Sequence, residues 1–264
     1  MGREWSVVVR ICVLVGLLTL AGCYEPEPKP QMVGEEPRVV LPPAQAPPAR
    51  HELIGRSAQG RPIMVQVAGK GEDTTLVMAA IHGDEPAGTM LVNQLEEYLR
   101  DNPRALEGRR VVMLPVANPD GLAAGTRENV HGIDLNRNFQ ASNRVDNGTN
   151  GNSALSEPEA RALQTVIKDY RPSRIVSIHQ PLTCIDYDGP ARALATRMAQ
   201  YCDLPIKKLG ARPGSLGAYC GELLNIPTVT LELPEGAAKQ SGIVLWEQYG
   251  KSVMAAIMYP QHPL

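Results

Sequence analysis

The sequence predicts an α/β fold in which helices cover both faces of a largely parallel sheet. Apolar runs of strand length alternate along the chain with segments of helical periodicity, as in repeated strand–helix units. Some of these runs are apolar at almost every position, which is typical of strands buried on both faces. With 264 residues, 43% of them hydrophobic and 20% charged, the chain is long enough for one large α/β domain or two small ones.

The first predicted elements lie between residues 51 and 116. Residues 51–69 (HELIGRSAQGRPIMVQVAG) have the pattern of two short strands around a glycine-containing turn. Residues 74–81 (TTLVMAAI) predict a buried strand, and residues 87–102 (AGTMLVNQLEEYLRDN) have helical periodicity. Residues 110–116 predict a further apolar strand, which ends at the turn sequence NPDG.

A long surface loop is predicted next. Residues 117–155 are rich in Gly and Asn and have little periodicity. A loop of that length inside a compact domain is usually functional. Ser156 then begins a predicted helix, because Ser156, an early proline and Glu159 form the pattern of a capping box.

The C-terminal part continues the alternation of strand and helix. Residues 174–178 (RIVSI) predict a buried strand that leads to His179. The remaining predicted elements are helices at 190–201 and 215–224, a strand at 228–233 (TVTLEL) and a closing helix at 243–258.

Four polar residues lie at or near the carboxyl ends of predicted strands: His82, Asn118, His179 and Glu232. Open α/β sheets place their ligand sites at that edge. We therefore expect the functional site there.

Residues 1–22 have the features of an export signal. Arg3 and Arg10 accompany an apolar run that is too short for a comfortable membrane span. Residues 20–23 (LAGC) resemble a bacterial lipobox, which implies cleavage before Cys23 and lipid attachment to its thiol. We therefore expect an exported lipoprotein, anchored on the periplasmic side of a membrane or at the cell surface. The alternative is an N-terminal anchor helix that is never cut.

Residues 23–50 are expected to form the lipidated Cys and a proline-rich tether. Eight prolines among residues 24–50 disfavour both helix and sheet. A tail without a role would have the same extended conformation, and only the adjacent lipobox favours a tether. The functional domain is then expected to span residues 51–264.

Cysteine content and charge restrict the possibilities further. Cys184, Cys202 and Cys220 allow one disulfide and one spare thiol, with three possible pairings, and none has the CxxC spacing of a cysteine zinc site. The net charge of −2 gives no electrostatic case for binding nucleic acid, because such proteins usually carry a clear basic excess.

His82 and Glu85 lie in the sequence HGDE at a predicted strand-to-helix junction. Two donors three residues apart can reach one metal ion if the chain turns there, and Gly83 permits such a turn. Imidazole nitrogen and carboxylate oxygen are common zinc ligands, and a catalytic zinc site uses three protein ligands. His179 is the candidate third ligand. Taken singly, HxxE could be a surface turn that caps a helix, and His179 a hydrogen-bonded structural residue.

Glu232 lies inside the apolar strand TVTLELP. Burial of a carboxylate there would be costly unless the group is paired or used. Desolvation would raise the pKa of Glu232, which suits a general base. The alternative is that strand alternation points Glu232 to solvent.

The predicted loop contains the string DLNRNF at residues 134–139. Arg137 beside Asn136 can bind a carboxylate through a guanidinium fork and an additional donor. Arg127 could reach the same pocket and stabilise developing negative charge. Simple solvation would explain any single arginine, but not the whole string.

Together, HGDE, NPDG, DLNRNF, the strand-end His and the Glu of TLELP occur in the order found in zinc metallocarboxypeptidases. The chain resembles that family from about His51 to its C-terminus. The resemblance implies a three-layer α/β/α sandwich around a mixed, largely parallel sheet of about eight strands.

The resemblance also implies a role for each candidate residue. One zinc ion would be held by His82, Glu85 and His179, and Glu232 would act as base and proton shuttle. Arg127 would correspond to the family's electrophilic arginine, and Asn136 with Arg137 to its carboxylate-binding pair.

Several segments resemble the murein peptide amidases within that family: SEPEARAL, IDYDGPA, LPIKKLG, RPGSLGAYCGELLNIP and TLELP. Those enzymes cleave the γ-D-glutamyl–meso-diaminopimelate bond, so the implied substrate is a murein stem peptide with a free carboxylate near the scissile bond. Two features depart from the pattern. Gln180 follows the third ligand where small residues are common. The export signal places the chain outside the cytoplasm, which favours cell-wall peptide stems over free tripeptide.

Two other functions fit part of the pattern. A zinc deacylase of N-acyl amino acids, of the aspartoacylase type, has similar HxxE and Asn-Arg elements, but the PGSLGAY and IDYDG segments argue against it. A non-catalytic cell-wall-binding lipoprotein would not need a complete ligand set together with Glu232 and Arg127.

Overall fold

Seven strands form one mixed sheet within residues 48–263, which is the part of the chain that the computed structural model describes. The predicted export signal, Cys23 and almost all of the predicted tether lie outside this part. The strands are β1 (Arg50–Arg56), β2 (Pro62–Gly69), β3 (Asp73–Ala79), β4 (Arg109–Leu114), β5 (Arg174–His179), β6 (Leu182–Asp188) and β7 (Thr228–Pro234). Their order in the sheet is β1-β2-β4-β3-β5-β7-β6.

The centre of this sheet is parallel and its two sides are antiparallel. Strands β4, β3, β5 and β7 run parallel to one another. The pairs β1–β2, β2–β4 and β6–β7 are antiparallel. The predicted α/β class with a mixed, largely parallel sheet is therefore confirmed, with seven described strands where the resemblance implied about eight.

Helical segments of three kinds connect the strands. The α-helices are α1 (Ala87–Asp101), α2 (Pro119–Ala124), α3 (Pro158–Tyr170), α4 (Arg192–Ala199), α5 (Gly242–Leu245) and α6 (Lys251–Ile257). Short 3-10 turns occupy Pro103–Leu106, Leu135–Arg137 and Glu235–Lys239, and π-helical segments occupy Gly217–Leu223 and Trp246–Gly250.

Two hydrophobic cores lie on opposite faces of the sheet, because side chains of successive strand residues point to opposite faces. On one face, Val77 and Ile178 belong to the core that contains the buried residues of α1, α4 and α6. On the other face, Leu76 and Ile175 belong to the core that contains α3 residues, Phe139 and part of the π-helical segment Gly217–Leu223. Helical layers thus cover both faces, as the sequence predicts.

The predicted capping box at Ser156 is wrong. Helix α3 begins at Pro158, and the residue before it, Glu157, caps it without a side-chain hydrogen bond. The Ser156 hydroxyl instead donates to Glu157 Oε1 and accepts from Asn138 Nδ2. Glu159 Oε1 accepts from the backbone of Ala58. Asn138 thus ties the long loop to the start of α3, and Glu159 ties α3 to the turn after β1, so these tertiary contacts take the place of the cap.

Two further elements were not predicted. Strand β6 forms at residues 182–188, where Asp186 and Asp188 interrupt the apolar pattern that would have marked a strand. The predicted loop 117–155 contains α2, which is capped by the Asn118 side chain through a bond from Gly121 N. Asn118 therefore serves the fold, and it also donates through Nδ2 to the Arg127 backbone.

The described cysteines are not paired: Cys184, Cys202 and Cys220 are free thiols. A helix long and apolar enough to cross a membrane does not occur among residues 48–263.

Candidate active site

A cavity of about 390 Å³ lies beside the carboxyl ends of β3, β5 and β7. All the predicted site residues that the structure describes line it: His82, Glu85, Arg127, Asn136, Arg137, His179 and Glu232. The remaining predicted site residue, Cys23, lies outside the described residues. Side chains that are up to 150 positions apart in the sequence thus meet in one cavity.

The turn after β3 brings His82 and Glu85 together. At Gly83 an added Cβ would lie 2.0 Å from the backbone of Gly121, so only glycine fits between β3 and α2. Glu85 stands two residues before α1 and is buried, as is His82. The tight packing of this turn fixes both side chains at the same point of the cavity.

Three ligand-type side chains converge there. His82 Nδ1 lies 2.7 Å from Glu85 Oε1, and His179 Nδ1 lies 2.9 Å from Glu85 Oε2. The two Nδ1 atoms are 3.2 Å apart. One ligand atom from each residue lies within 4.8 Å of the others, so His82, Glu85 and His179 could hold a metal ion.

Asp134 decides which nitrogen of His82 faces the other two ligands. His82 Nε2 lies 3.2 Å from Asp134 Oδ1, and an ionised carboxylate only accepts, so Nε2 carries a proton. A neutral His82 then presents the Nδ1 lone pair to Glu85 and His179. A cation between these lone pairs and the carboxylate would satisfy all three groups, and two imidazoles with one carboxylate are a donor set that fits Zn²⁺.

Hydrogen bonding in this cluster opposes the effect of burial on the pKa values. Burial alone would raise the pKa of Glu85, but the bonds with His179 and His82 lower it to about 2. Burial would lower the pKa of His82, but the bonds with Asp134 and Glu85 raise it above its ordinary value. Glu85 is therefore ionised across the neutral range, as a metal ligand must be.

Glu232 lies next to this cluster, on the neighbouring strand. Its Cα is the register partner of His179 across the β5–β7 ladder, and its Oε2 accepts a hydrogen bond of 3.3 Å from Leu182 N. Burial raises the pKa of Glu232. The nearby His179 and the hydrogen bond from Leu182 N oppose this rise. The alternative that Glu232 points to solvent is wrong, since the side chain is buried and lines the cavity.

Arg127 closes the opposite side of the cluster. Its Nε and Nη2 atoms donate to Asp134 Oδ2 at 3.3 and 3.2 Å, and its Nη1 donates to Glu85 Oε1 at 3.3 Å. The Arg127 side chain is still 38% exposed and lines the cavity, so it can meet a ligand there. Asp134 thus orients both His82 and Arg127. Asp134, the first residue of the DLNRNF string, was not among the predicted site residues.

Asn136 and Arg137 stand farther along the same wall. The Asn136 Oδ1 accepts from Leu216 N at 2.9 Å, which leaves its NH₂ group as a donor. Arg137 is held through Nη1 by the Asn136 carbonyl at 2.6 Å. Burial lowers the pKa of Arg137 from its ordinary value, and repulsion from Arg127 and Arg212 adds to this, whereas Asp134 opposes it. The carboxylate of a ligand bound beside Arg137 would relieve the repulsion among these three guanidinium groups.

Gln180, which follows His179, supports the cluster. Its backbone N donates to Glu85 Oε2 at 3.1 Å, and its Oε1 accepts from Ala87 N at 3.1 Å at the start of α1. Its Nε2 lies 3.4 Å from the carbonyls of Pro234 and Glu235. The side chain of Gln180 therefore joins α1 to the end of β7, while its backbone N–H holds Glu85.

Several residues that line the cavity were not among the predicted site residues: Ser177, Asp186, Asp188, Arg212, Ser215 and Thr230. The only available signal was the IDYDG string, in which two aspartates alternate with apolar or aromatic residues as on one face of a strand.

A family model described as zinc carboxypeptidase, peptidase family M14, matches residues 44–189. Murein peptide amidase A of Escherichia coli K12 is 34% identical over 206 residues, which cover 71% of this chain and 82% of that protein. Murein peptide amidase A of Vibrio campbellii is 32% identical over 200 residues, which cover 68% of this chain and 77% of that protein.

Solved structures are similar to most of the chain. The murein-tripeptide amidase of Escherichia coli O157 superposes with a TM-score of 0.64 at 28% identity, covering 83% of this chain and 94% of that one. A carboxypeptidase A from Helicoverpa armigera superposes with a TM-score of 0.69 at 20% identity, covering 80% of this chain and 69% of that one. At this identity the similarity supports the fold alone.

Proposed function

Because this chain belongs to the zinc carboxypeptidase family, we propose that it is a zinc-dependent amidase that cleaves murein peptides. The proposed bond joins γ-D-glutamate to meso-diaminopimelate. The observation that carries the proposal is the convergence of His82, Glu85 and His179 in one cavity with Glu232. Similarity to murein peptide amidase A over most of both chains supports the substrate class.

One zinc ion per chain would be held by His82, Glu85 and His179, whose donor atoms fit it. When bound, zinc supplies Lewis acidity that activates a water molecule and polarises the scissile carbonyl. Asp134 would keep His82 in the tautomer that binding requires, since it accepts the proton on Nε2.

Glu232 would act as the general base. Its carboxylate takes a proton from the attacking water and then gives that proton to the nitrogen of the leaving amine. Burial beside His179 suits both steps, because a raised pKa makes the carboxylate a better proton acceptor while His179 limits the rise. Arg127 would donate hydrogen bonds to the oxygen on which negative charge develops.

Asn136 and Arg137 would bind the carboxylate next to the scissile bond on the leaving side. A guanidinium and an amide NH₂ on one wall offer several N–H donors to two carboxylate oxygens. Clustering of Arg127, Arg137 and Arg212 along the cavity supports an anionic substrate group at this place. Peptides whose terminal carboxylate is amidated should therefore be poor substrates.

The proposal includes export and a lipid anchor on Cys23. Its support is the sequence of residues 1–23, which ends in LAGC, and the eight prolines that follow. Strand β1 begins at Arg50, so a tether over residues 23–50 would end where the described sheet begins. The substrates of an enzyme placed on the outer side of a membrane would be cell-wall peptide stems rather than free tripeptide.

The test is hydrolysis by the full chain, loaded with zinc. It is incubated with L-alanyl-γ-D-glutamyl-meso-diaminopimelate, with longer murein stem peptides and with N-acetyl-aspartate, and the products are identified by mass. We expect diaminopimelate-containing products, loss of activity with a chelator and recovery with zinc. Hydrolysis of N-acetyl-aspartate without cleavage of any murein peptide would overturn the proposal in favour of a deacylase.

A further inference from the structure

A second hollow lies along helix α4, separate from the active-site cavity. A cavity of about 880 Å³ is lined by Gln200, Gln240 and Tyr249, among others, and an adjoining cavity of about 530 Å³ by Arg197, Gln200 and Tyr259. Because Gln200 belongs to both, the two cavities form one groove, which we call the α4 groove. Within residues 48–263, the α4 groove and the active-site cavity share no lining residue.

The α4 groove presents neutral polar groups and aromatic rings rather than charge of one sign. Three glutamines and three tyrosines line it: Gln200, Gln240, Gln248, Tyr201, Tyr249 and Tyr259. The charged side chains that line it are mixed in sign, so they do not select a strongly charged ligand. Tyr249 belongs to the core on this face of the sheet and Tyr259 packs against that core, which holds both rings in place.

Such a lining matches a saccharide. A sugar ring has an apolar C–H face, and a tyrosine ring offers an apolar face beside a polar hydroxyl. Sugar hydroxyls both donate and accept hydrogen bonds, and so do the side-chain amides of glutamine. The groove therefore favours a neutral, hydroxyl-rich polymer over nucleic acid or a highly charged peptide.

Only a short turn separates the α4 groove from the active site. Gln180 lines the active-site cavity, and its Nε2 lies 3.4 Å from the carbonyls of Pro234 and Glu235. The 3-10 turn Glu235–Lys239 then leads directly to Gln240 in the groove. Because a 3-10 turn rises about 2.0 Å per residue, this turn spans about 10 Å.

The α4 groove lies across the sheet from the proposed carboxylate-binding pair. Leu135 and Phe139, which flank that pair in the sequence, belong to the core on the α3 face. Leu204 and Tyr249, which line the groove, belong to the core on the opposite face. The strands that end at the metal-type ligands separate the two cores. A peptide whose leaving side lies on the carboxylate-binding pair therefore extends its acyl side toward the groove.

The dimensions of a murein stem fit this arrangement. On the acyl side of the proposed scissile bond stand γ-D-glutamate and L-alanine, and in the wall the L-alanine is joined to a sugar of the glycan strand. Two extended residues span about 7 Å. This length is close to that of the turn between the active site and Gln240, so the attached sugar would reach the groove while the scissile bond lies at the metal-type ligands.

Gln240 adds a specific group for recognition. Its Oε1 atom is buried and accepts no hydrogen bond from any residue between 48 and 263. A buried acceptor without a partner is costly. The acetamido group of an N-acetylated sugar has one N–H donor and one carbonyl acceptor. After a small rotation of the Gln240 amide, the acetamido N–H would donate to Oε1 and the acetamido carbonyl would accept from the Gln240 NH₂ group.

We propose that the α4 groove binds the N-acetylated glycan strand to which a murein stem peptide is attached. The inference rests on the proposed function for the identity of the polymer, and it adds a binding site outside the active-site cavity. It makes glycan-linked stems better substrates than free peptides. Gln240 then binds the sugar and takes no part in cleavage.

Binding is measured first, by calorimetric titration of the zinc-loaded full chain with the N-acetylglucosamine tetramer. We expect saturable binding that is about tenfold tighter than binding of cellotetraose, which has glucose units without acetamido groups. Gln240→Ala should weaken tetramer binding by about fivefold, as expected for the loss of a hydrogen bond. Gln140→Ala, at an exposed glutamine that lines neither hollow, should leave binding unchanged.

Cleavage is then compared for two substrates. One is free L-alanyl-γ-D-glutamyl-meso-diaminopimelate, and the other carries the same tripeptide on the disaccharide of N-acetylglucosamine and N-acetylmuramic acid. We expect kcat/KM to be about tenfold higher for the glycan-linked substrate, mainly through KM, because the additional contacts are uniform binding. Gln240→Ala should remove most of this preference and leave kcat/KM for the free tripeptide unchanged. The exposed Gln248→Ala variant should act in the same direction.

The outcomes separate this inference from the proposed function. Equal kcat/KM on both substrates, without binding of the tetramer, overturns the glycan site and leaves the murein amidase intact. Equal binding of the tetramer and cellotetraose overturns the assignment to an N-acetylated glycan. Equal losses on both substrates in Gln240→Ala, with a lower melting temperature, overturn it in favour of a structural role. Tetramer binding that is weakened in Gln240→Ala, without cleavage of either substrate, supports the glycan site and overturns the murein amidase.

Discussion

His179 and Glu232 are direct partners in the register of two parallel strands, β5 and β7, and both side chains line one cavity. Backbone hydrogen bonds of the central sheet therefore set the separation between the third ligand and the proposed base. Residues held on strands are positioned more accurately than residues on loops. The pair also explains why the two residues occupy equivalent places at the ends of their apolar runs.

Replacement of Glu232 by Gln removes the proposed base and keeps the shape of the side chain. We expect kcat on a murein peptide to fall by about 10³-fold, because general acid–base catalysis contributes rate factors of that order. Zinc content should stay at one ion per chain, since Glu232 is not among the converging ligands. Steady-state kinetics and metal analysis of the same sample measure both effects.

Glu235→Gln is the matched control, at an exposed glutamate three residues farther along. It should keep kcat unchanged. Full activity in Glu232→Gln would contradict the assignment of the base.

Asp134→Asn tests the tautomer argument. The amide can turn its NH₂ group toward His82, which would no longer be held with its proton on Nε2. We expect zinc affinity to fall by about 10–100-fold, as for other residues that orient a ligating histidine. Competition with a fluorescent chelator measures the affinity.

The exposed Asp169→Asn variant, on α3, is the control for a loss of one negative charge. Unchanged zinc affinity in Asp134→Asn would show that the packing of the turn alone orients His82.

The strand-end residues were predictable from the sequence because each follows an apolar run. His82, His179 and Glu232 interrupt or end such runs, and the carboxyl ends of parallel strands meet at one edge. The parallel direction of the central strands followed from the alternation of strand and helix. The ladder pairings supply what the sequence could not, namely which strands are neighbours.

The part of the cavity wall that carries Asp186 and Asp188 was not predictable for two physical reasons. Asp186 and Asp188 alternate with Ile185 and Tyr187, and such a pattern is typical of an edge strand that exposes its polar face to solvent. The segment Gly217–Leu223 buries that face from above, and its approach is visible only in three dimensions. The predicted capping box at Ser156 was wrong for a related reason. Residues distant in sequence bind the carboxylates of Glu157 and Glu159, so neither is free to cap α3.

The proposed lipid anchor predicts a change in location. Cys23→Ser removes the thiol to which lipid would attach, so the full chain should move from the membrane fraction to the soluble fraction. Cys12→Ser, within the predicted signal, should leave the fractionation unchanged. Fractionation of cells and the mass of the N-terminal peptide measure the effect, and recovery of Cys23→Ser in the membrane fraction would contradict the anchor.

Replacement of Asp188 by a neutral residue is expected to stabilise the folded chain. Burial, with the nearby Asp186, raises the pKa of Asp188 from 3.8 to about 6. Between about pH 4 and pH 6 the folded chain therefore holds more protons than the unfolded chain, so this group lowers stability as pH rises through that window. Above pH 6 the full effect is present, on the order of 2 kcal/mol.

Asp188→Asn should accordingly raise the free energy of unfolding at pH 7.5 by about 1–2 kcal/mol, and the gain should disappear as pH falls toward 4. Denaturant titrations of the metal-free full chain at several pH values measure this, with Asp203→Asn, at an exposed aspartate that does not line the active-site cavity, as the control. Greater stability of Asp188→Asn at pH 7.5 would show that burial of this carboxylate opposes folding. A loss of stability at pH 7.5 would mean that the carboxylate already has a structural partner.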